Sequence, residues 1–332
     1  MRLRTCFKLS EAAAAGLLLL SIVACKSGRS SSIRSVTCCS AFQHSDHLSD
    51  RPDPGVLRLA VGGDSRDDRS HVVPWAFQEA GKRGAIAFVF LGDMEITRFA
   101  DRFFMPQLRN LSGIPFYPII GNHEVELFGA VRLSSGGHAV EKFKEDFLRK
   151  PGVRMAPLPQ LAYSAEIGRE IHFIALDNVS RRGEGFGDAQ LSWMAGDLQA
   201  ASAAKSIILV GMHKPLAKNP ITTHAMDEDG PAAVRESDAA LALFKKYGVA
   251  MLFVSHSHMY AAYNQDGIET RLTGGLGAPL VKGLADADGG FHHFLLVDIS
   301  PDADKAKLRV EVVRFHGIPT RDQQDESAEV EN

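Results

Sequence analysis

Six side chains with metal-binding chemistry follow apolar runs of this 332-residue sequence, each close to the point where a run ends. They are Asp64, Asp93, Asn122, His213, His256 and His258. Carboxylate and amide oxygens with imidazole nitrogens suit Mn, Zn or Fe, and no cysteine occurs after position 39 to add a thiolate. One carboxylate can bridge two ions about 3.5–4 Å apart. We therefore expect a metal centre with O and N ligands only.

The apolar runs predict the strands that position these residues. They span 56–61, 86–91, 116–120, 207–210 and 251–254. Near-continuous apolar runs are typical of strands buried on both faces, in sheets that helices cover. Amphipathic stretches at about 71–82, 98–110, 188–203 and 234–247 predict the covering helices. Because open α/β sheets bind ligands at the carboxyl ends of their strands, the six side chains should share one edge.

The second half of the chain adds strands of another kind. Residues 163–167 and 171–176 flank a Gly-Arg-Glu turn and predict a β-hairpin. Residues 267–272, 291–299 and 308–315 are also strand-like. We predict an α/β fold with two central mixed β-sheets packed face to face and flanked by helices, a four-layer α/β/β/α sandwich.

The N-terminus has the composition of an export signal. Arg2, Arg4 and Lys8 precede a 13-residue apolar run at 12–24, which is too short to span a bilayer core of about 30 Å. The run ends at Cys25 in a sequence that resembles a bacterial lipobox. We predict a lipoprotein signal peptide at 1–24 and a lipidated Cys25 that anchors the exported protein to the cell envelope, periplasmic or outer membrane, of a bacterium. A plain signal cleaved near Ala24, or a buried helix, is the alternative.

Composition sets the remaining boundaries. Residues 25–55 are rich in Ser and turn formers and predict a flexible tether. Residues 56–320 are predicted to form a single folded domain, and residues 321–332 a disordered acidic tail.

A hydrophobic fraction of 45% with 23% charged residues excludes a collagen-like, wholly disordered or polytopic membrane protein. The formal net charge of −3 gives no electrostatic footprint for nucleic-acid binding.

The order Gly-Asp, Gly-Asp, Gly-Asn-His-Glu (121–124), His and His-x-His resembles the calcineurin-like metallophosphoesterase superfamily. It is most similar to the purple acid phosphatase-like branch, and the resemblance covers about residues 56–300. It implies the metallophosphoesterase type of four-layer sandwich and an enzyme that hydrolyses phosphate esters. The implied substrate is a phosphomonoester or phosphodiester, either a small molecule or a nucleotide, and the implied nucleophile is a hydroxide activated by two metal ions.

The resemblance also implies a role for each motif residue. Asp93 corresponds to the bridging carboxylate of the two divalent or trivalent ions. Asp64 and His258 would bind the first ion. The ligands implied for the second ion are Asn122, His213 and His256. His123 would act as a general acid toward the leaving-group oxygen, with Glu124 orienting it or tuning its pKa.

The sequence departs from the family pattern at the first ion. Most members have Asp-x-His where this chain has Asp64-Ser65-Arg66, and the purple acid branch supplies a Tyr where this chain has Ile96. The first ion therefore lacks one ligand, which Glu95 or solvent would replace. Arg66, a permanent cation, is either a bidentate clamp on phosphate or a salt-bridge partner of a site carboxylate.

The missing ligand also motivates a second hypothesis, a catalytically weak or inactive metal-binding surface lipoprotein with the same fold. Several further residues could reach the mouth of the site or line its pocket. For His292 and His293, a place within a strand is favoured instead. These residues are His224, His292, His293, Tyr260, Tyr263 and Asn178.

Overall fold

The computed structural model describes residues 33, 41, 44–68, 71–94, 104–127, 131–132, 141, 143–149, 152–156, 161–181, 185–301 and 307–317. Three of the predicted features lie outside these residues. They are the signal peptide with Cys25, the candidate ligand Glu95, and the acidic tail at 321–332. Within the described residues no helix is long and apolar enough to cross a membrane.

Two mixed sheets form the centre of the molecule. The strands of the first sheet are β1 (Leu57–Gly62), β2 (Ala87–Phe90), β3 (Phe116–Pro118), β13 (His293–Ser300) and β14 (Lys307–Arg314). Those of the second are β6 (Arg154–Met155), β7 (Tyr163–Ile167), β8 (Ile171–Leu176), β9 (Ile207–Met212), β10 (Met251–Val254), β11 (Tyr260–Gln265) and β12 (Ile268–Thr273). The strand order is β14-β13-β1-β2-β3 in the first sheet and β11-β12-β10-β9-β8-β7-β6 in the second. A separate short hairpin pairs β4 (Glu126–Leu127) with β5 (Val131–Arg132).

The helices lie as the amphipathic pattern predicts, with one exception. Those with α geometry are α1 (Val72–Lys82), α2 (Asn122–Val125), α3 (Gly187–Ala203) and α4 (Pro231–Tyr247). The predicted helix at 98–110 is a 3-10 helix at Met105–Leu111 in its described part, where Pro106 follows the first residue. Two shorter 3-10 helices span Met226–Asp229 and Asp286–Asp288, and a π-helix spans Lys144–Leu148.

Strand alternation divides the apolar side chains between two cores. In β10, Met251 and Phe253 face the core shared with the first sheet and α1, whereas Leu252 and Val254 face the core under α3 and α4. Both faces are buried, as the continuous apolar runs predict. The α/β fold with two mixed sheets and flanking helices is therefore confirmed, including the antiparallel hairpin of β7 and β8.

The packed domain begins before residue 56, where the sequence placed a flexible tether. The Asp46 N–H donates to the Val310 carbonyl at 2.7 Å, and the Val310 N–H donates to the Asp46 carboxylate at 2.6 Å. The Leu48 side chain is 2% exposed and belongs to the first core. Residues 44–50 thus cover the outer edge of β14, so the predicted boundary at 55/56 falls too late. Hydrogen bonding to a distant strand edge leaves no periodic signal in such a Ser- and Asp-rich stretch.

Candidate active site

The carboxyl ends of five strands bring the six candidate ligands together. β1, β2 and β3 of the first sheet lead to Asp64, Asp93 and Asn122, and β9 and β10 of the second lead to the three histidines. Three of the six have a left-handed backbone, with φ of 60° at Asp64, 61° at Asp93 and 68° at His256. Such φ values are uncommon outside glycine and cluster at functional sites. Tight turns at the strand ends therefore aim these side chains into the site.

A close approach of two turns explains the glycines of the Gly-Asp and Gly-Asn-His-Glu motifs. A Cβ on Gly121 would lie 2.3 Å from both the backbone nitrogen and Oδ1 of Asp93. At Gly92, where φ is 93°, a Cβ would lie 2.7 Å from Gly121. No side chain fits between the turns, so they touch backbone to backbone and bring Asp93 beside Asn122.

One group of ligand atoms surrounds the Nε2 atom of His213. The Nδ1 atom of His213 lies 2.7 Å from the Leu91 carbonyl and carries the proton there, which leaves an electron pair on Nε2. This Nε2 lies 2.9 Å from Oδ1 of Asn122, 3.1 Å from Nδ1 of His256 and 3.3 Å from Oδ1 of Asp93. Electron pairs of acceptor atoms face one another at these distances. A proton or a cation must lie between them, and the donor set is one that Mn, Fe or Zn prefers.

A second group joins Asp64, Asp93 and His258. Nδ1 of His258 lies 2.6 Å from the Pro279 carbonyl, so its Nε2 atom is turned toward Oδ1 of Asp64 at 3.5 Å. That Oδ1 is buried and has no hydrogen-bond partner among the described residues. The other oxygen, Oδ2, accepts the Ser255 hydroxyl and the His256 N–H. The unsatisfied oxygen and the imidazole nitrogen therefore fit a second cation, and Asp93 belongs to both groups.

The ionisation of the buried ligands follows from burial and from their mutual charges. Burial raises the pKa of Asp64, but its electrostatic interactions with His258 and His213 outweigh burial and hold that pKa at about 2. Burial and the neighbouring Asp64 raise the pKa of Asp93 well above its ordinary value. Burial lowers the pKa of His213 and, together with His213, the pKa of His256. A lowered imidazole pKa at His213 and His256 favours the neutral form that binds metal ions.

Glu124 fixes the geometry of the two touching turns. Its carboxylate accepts the backbone N–H groups of Gly121 at 2.6 Å, Asp93 at 2.9 Å and Met94 at 2.6 Å. Burial, followed by the charge of Asp93, raises the pKa of Glu124 to about 7. The Glu124 carboxylate therefore ties together the backbones that carry the candidate ligands, and its predicted action on His123 stays a prediction.

A cavity of about 280 Å³ opens above the two ligand groups. Its walls contain candidate metal ligands together with Arg66 and His123, the two side chains predicted to contact the substrate. The lining residues are Arg66, Asp93, Asn122, His123, His224, His256, His258 and Val281. Arg66 has φ of 48°, and its N–H donates to the Asp93 carbonyl at 3.0 Å. The structure therefore brings the predicted clamp, general acid and ligands to one cavity.

His123 lies close to Asp93, the predicted bridging carboxylate. Its N–H donates to Oδ1 of Asp93 at 2.9 Å, and its Nε2 lies 3.8 Å from Oδ2. Burial, followed by the positive charge of Arg66, lowers the pKa of His123 to about 4. The side chain is 26% exposed and reaches the cavity. An anionic substrate offsets the charge of Arg66, which favours protonation of His123 in the complex.

His224 forms part of the cavity wall, which its position along the sequence only suggested. Its ring stacks on His256, with centroids 4.0 Å apart and planes at 25°. Nδ1 of His224 lies 2.9 Å from the Glu228 carboxylate, and the His224 carbonyl accepts the Ser257 hydroxyl at 3.1 Å. His224, Glu228 and His256 together form a further group able to hold a cation. No motif surrounds His224, so only tertiary structure identifies it as a wall of the cavity.

The other residues proposed for the mouth have structural contacts. His293 is a buried strand residue of β13 beside Thr273, and His292 lies 3.1 Å from the Gly275 carbonyl. Tyr260 and Tyr263 belong to β11. Asn178 donates to the Lys214 carbonyl at 2.8 Å, which supports the segment after His213.

The fold and the site define a class of protein, an α/β sandwich with a strand-end centre for two metal ions. The family model of the calcineurin-like phosphoesterases matches residues 49–260, and the chain belongs to that family. The chain is therefore a metallophosphoesterase. No curated protein sequence matches it.

Solved structures share the fold at low sequence identity. A dimetal phosphatase from Danio rerio matches with a TM-score of 0.57 and 14% identity, over 79% of this chain and 99% of the other. GAP50, the anchor in the inner membrane complex of Plasmodium, matches with a TM-score of 0.50 and 14% identity, over 83% of this chain and 94% of the other. These similarities confirm the predicted architecture.

Proposed function

We propose that this chain hydrolyses phosphate esters of small molecules or nucleotides at the strand-end cavity, outside the cytosol, with two ions of Mn, Fe or Zn. One observation carries the proposal: two groups of electron-pair donors share Asp93 at the base of a cavity that Arg66 and His123 also line. In this arrangement Asp64 and His258 would hold one ion, and Asn122, His213 and His256 would hold the other. Asp93 belongs to both groups of potential ligands.

When bound, two such ions would supply Lewis-acid stabilisation of the phosphoryl oxygens and an activated water as the nucleophile. Arg66 binds the phosphoryl group because its planar guanidinium donates two parallel hydrogen bonds to such oxygens. His123, on the same cavity wall, gives its proton to the leaving-group oxygen as the P–O bond breaks. The left-handed turns and the Glu124 carboxylate hold these groups in place before substrate arrives.

Hydrolysis of p-nitrophenyl phosphate and of its bis ester tests the proposal. Wild-type protein loaded with Mn²⁺ should hydrolyse at least one ester, and Asp93→Ala should lose this activity because both ligand groups lose a member. Equal rates in the two proteins would rule out the proposed chemistry. The ratio of the two ester rates assigns the preferred substrate class.

Arg66→Ala separates the two roles left open for this cation. A phosphate clamp predicts a KM about tenfold higher and weaker inhibition by inorganic phosphate, the size expected from losing a hydrogen bond to a charged group. Metal content, measured by inductively coupled plasma mass spectrometry, should stay at the wild-type value. Loss of metal with an unchanged KM would assign Arg66 to a structural salt bridge instead.

The anchor belongs to the same proposal. We propose that Cys25 is lipidated and holds the enzyme at the envelope, as the lipobox-like sequence suggests. The fold constrains this arrangement because Ile33 is already buried in the second core, so eight residue steps, with a reach of about 28 Å, link it to Cys25. Wild-type protein should partition with membranes and incorporate labelled palmitate, whereas Cys25→Ser should do neither. A soluble, unlabelled wild-type protein would contradict the proposal.

One observation favours a second candidate, a weakly active or inactive metal-binding lipoprotein. Among the described residues, the group that would hold the first ion contains only three potential ligands, Asp64, Asp93 and His258. Calorimetric titration with Mn²⁺ distinguishes the candidates. Two bound ions with turnover support the enzyme, and a single ion without turnover supports the binding protein.

A further inference from the structure

An N-terminal segment outside the predicted domain reaches the loop that forms one wall of the cavity. Ile33 is 8% exposed, packs in the second core and forms an antiparallel bridge with Thr222. Farther along, the His44 carbonyl accepts the Tyr260 hydroxyl, and residues 45–50 cover β14. The same stretch of chain therefore contacts both sheets. Its contact at Thr222 is the one that lies near the active site.

Thr222 links this contact to His224. The Thr222 hydroxyl accepts the His224 N–H at 3.0 Å, and the Thr222 N–H donates to Oδ1 of Asn219 at 2.9 Å. Asn219 also accepts the Ile221 N–H at 3.0 Å and donates to the Leu216 carbonyl at 2.8 Å, so one buried amide shapes the turn. The backbone position of His224 consequently follows that of Thr222.

His224 is held from the opposite side by the active site. Its ring stacks on His256, and its Nδ1 and carbonyl contact Glu228 and Ser257. The described residues 213–225 contain no helix and no strand. The turn is held by hydrogen bonds such as that from the Met226 N–H to the Pro215 carbonyl at 3.0 Å, by its own buried Ile221 and by the contact with Ile33. Burial of the Ile33 side chain adds a favourable contribution to this packing, because the removal of apolar surface from water is favourable.

We infer that Ile33 is a positioning residue for the active site: by packing against the Thr222 turn, it holds His224 against His256 at the cavity wall. The N-terminal segment is thereby part of the catalytic architecture and does more than connect an anchor to a domain. The effect on catalysis rests on the proposed function, whereas the mechanical link between Ile33 and the 219–226 turn does not. A displacement of about 1 Å in a positioned group lowers rates by up to about 100-fold.

Hydrogen–deuterium exchange and steady-state kinetics on the full chain test this inference. Ile33→Asp should expel the segment from the second core, and Ile33→Val keeps an apolar, β-branched side chain there. Leu48→Ala is the matched control, since Leu48 is a buried apolar residue of the same segment that packs in the first core instead. Thr222→Val keeps the shape of Thr222 and removes the oxygen that accepts the His224 N–H.

We expect Ile33→Asp to raise exchange in peptides covering 219–226 and to lower kcat/KM for p-nitrophenyl phosphate at least tenfold. Ile33→Val should keep both the exchange at 219–226 and kcat/KM near their wild-type values. Thr222→Val should lower kcat/KM while the N-terminal segment stays packed in the second core. Leu48→Ala should raise exchange at 45–50 and in β14 only. Bound metal per chain should be unchanged in Thr222→Val.

Two results would overturn the inference. Either exchange at 219–226 stays at the wild-type value in Ile33→Asp, or Leu48→Ala lowers kcat/KM as much as Ile33→Asp does, which would mean general destabilisation. If Ile33→Asp does not fold, Thr222→Val and Ile33→Val carry the comparison. If wild-type protein hydrolyses no phosphoester, the proposed function fails, and exchange at 219–226 alone decides whether Ile33 positions the turn.

Discussion

Replacing Glu124 by Gln should weaken metal binding although Glu124 belongs to neither ligand group. The carboxylate accepts three backbone N–H groups, two at Oε2 and one at Oε1. An amide has one acceptor oxygen, so its NH₂ group must face a backbone N–H. If the oxygen keeps Gly121 and Asp93, the hydrogen bond with Met94 is lost and two donors oppose each other in a buried site.

The expected cost follows from that loss. Leaving one buried polar group without its partner costs about 1–3 kcal/mol, which corresponds to a factor of about 5 to 150 in an equilibrium constant. Because the affected backbone carries Asp93 and Asn122, we expect part of the cost as a higher Kd for Mn²⁺ in calorimetric titration. The remainder should appear as a lower free energy of unfolding of the metal-free protein in urea.

Asp177→Asn is the matched control for this prediction. Its buried carboxylate also accepts three backbone N–H groups, from Leu161 at 2.9 Å, Val179 at 3.2 Å and Ser180 at 2.9 Å, and it is not a ligand. It should lower stability by a similar amount and leave the Kd for Mn²⁺ unchanged. The reasoning fails if Glu124→Gln matches wild type in both measurements, or if Asp177→Asn weakens Mn²⁺ binding equally.

Two further predictions concern stability. Burial lowers the pKa of His172, but hydrogen bonds with Asp197 and Glu166 raise it above its ordinary value. Charged His172 therefore stabilises the fold fully below about pH 6.5 and less as the pH rises through the higher folded-state pKa. The stability difference between wild type and His172→Gln, from thermal unfolding, should shrink from pH 6 to pH 9, and a constant difference would contradict this. The second concerns Asp298, whose carboxylate lies 2.6 Å from the fully buried guanidinium of Arg58. Asp298→Asn removes this charged partner and should lower the free energy of unfolding, measured in urea, by about 3–5 kcal/mol. An unchanged free energy of unfolding would show that this buried ion pair does not stabilise the fold.

The sequence predicted the elements whose signals are local. Continuous apolar runs predicted β1, β2, β9 and β10 with small errors at their ends, because burial on both faces demands such runs. The six candidate ligands followed from strand ends and residue chemistry, and they converge in the structure as expected. β11 was not predicted, since only Met259 separates it from His258 and no turn signal marks its start.

Features that depend on contacts between distant segments were beyond sequence reasoning. The role of Glu124 depends on the approach of Gly92 to Gly121, which no single motif reveals. His224 is distinguished by its stacking on His256 and by its contact with Glu228. Pairing of residues 44–50 with β14 involves partners more than 260 positions away, so it left no pattern in the N-terminal segment.

The central claim is that Asp93 joins two ion sites on which hydrolysis depends. Its most direct test is a calorimetric titration of metal-stripped wild-type protein and Asp93→Ala with Mn²⁺, with p-nitrophenyl phosphate turnover assayed at each addition. Wild-type protein should bind two ions per chain and gain turnover as the second binds, and Asp93→Ala should bind fewer ions and gain none. Equal turnover in Asp93→Ala, or full turnover in the stripped wild-type protein, would contradict the claim.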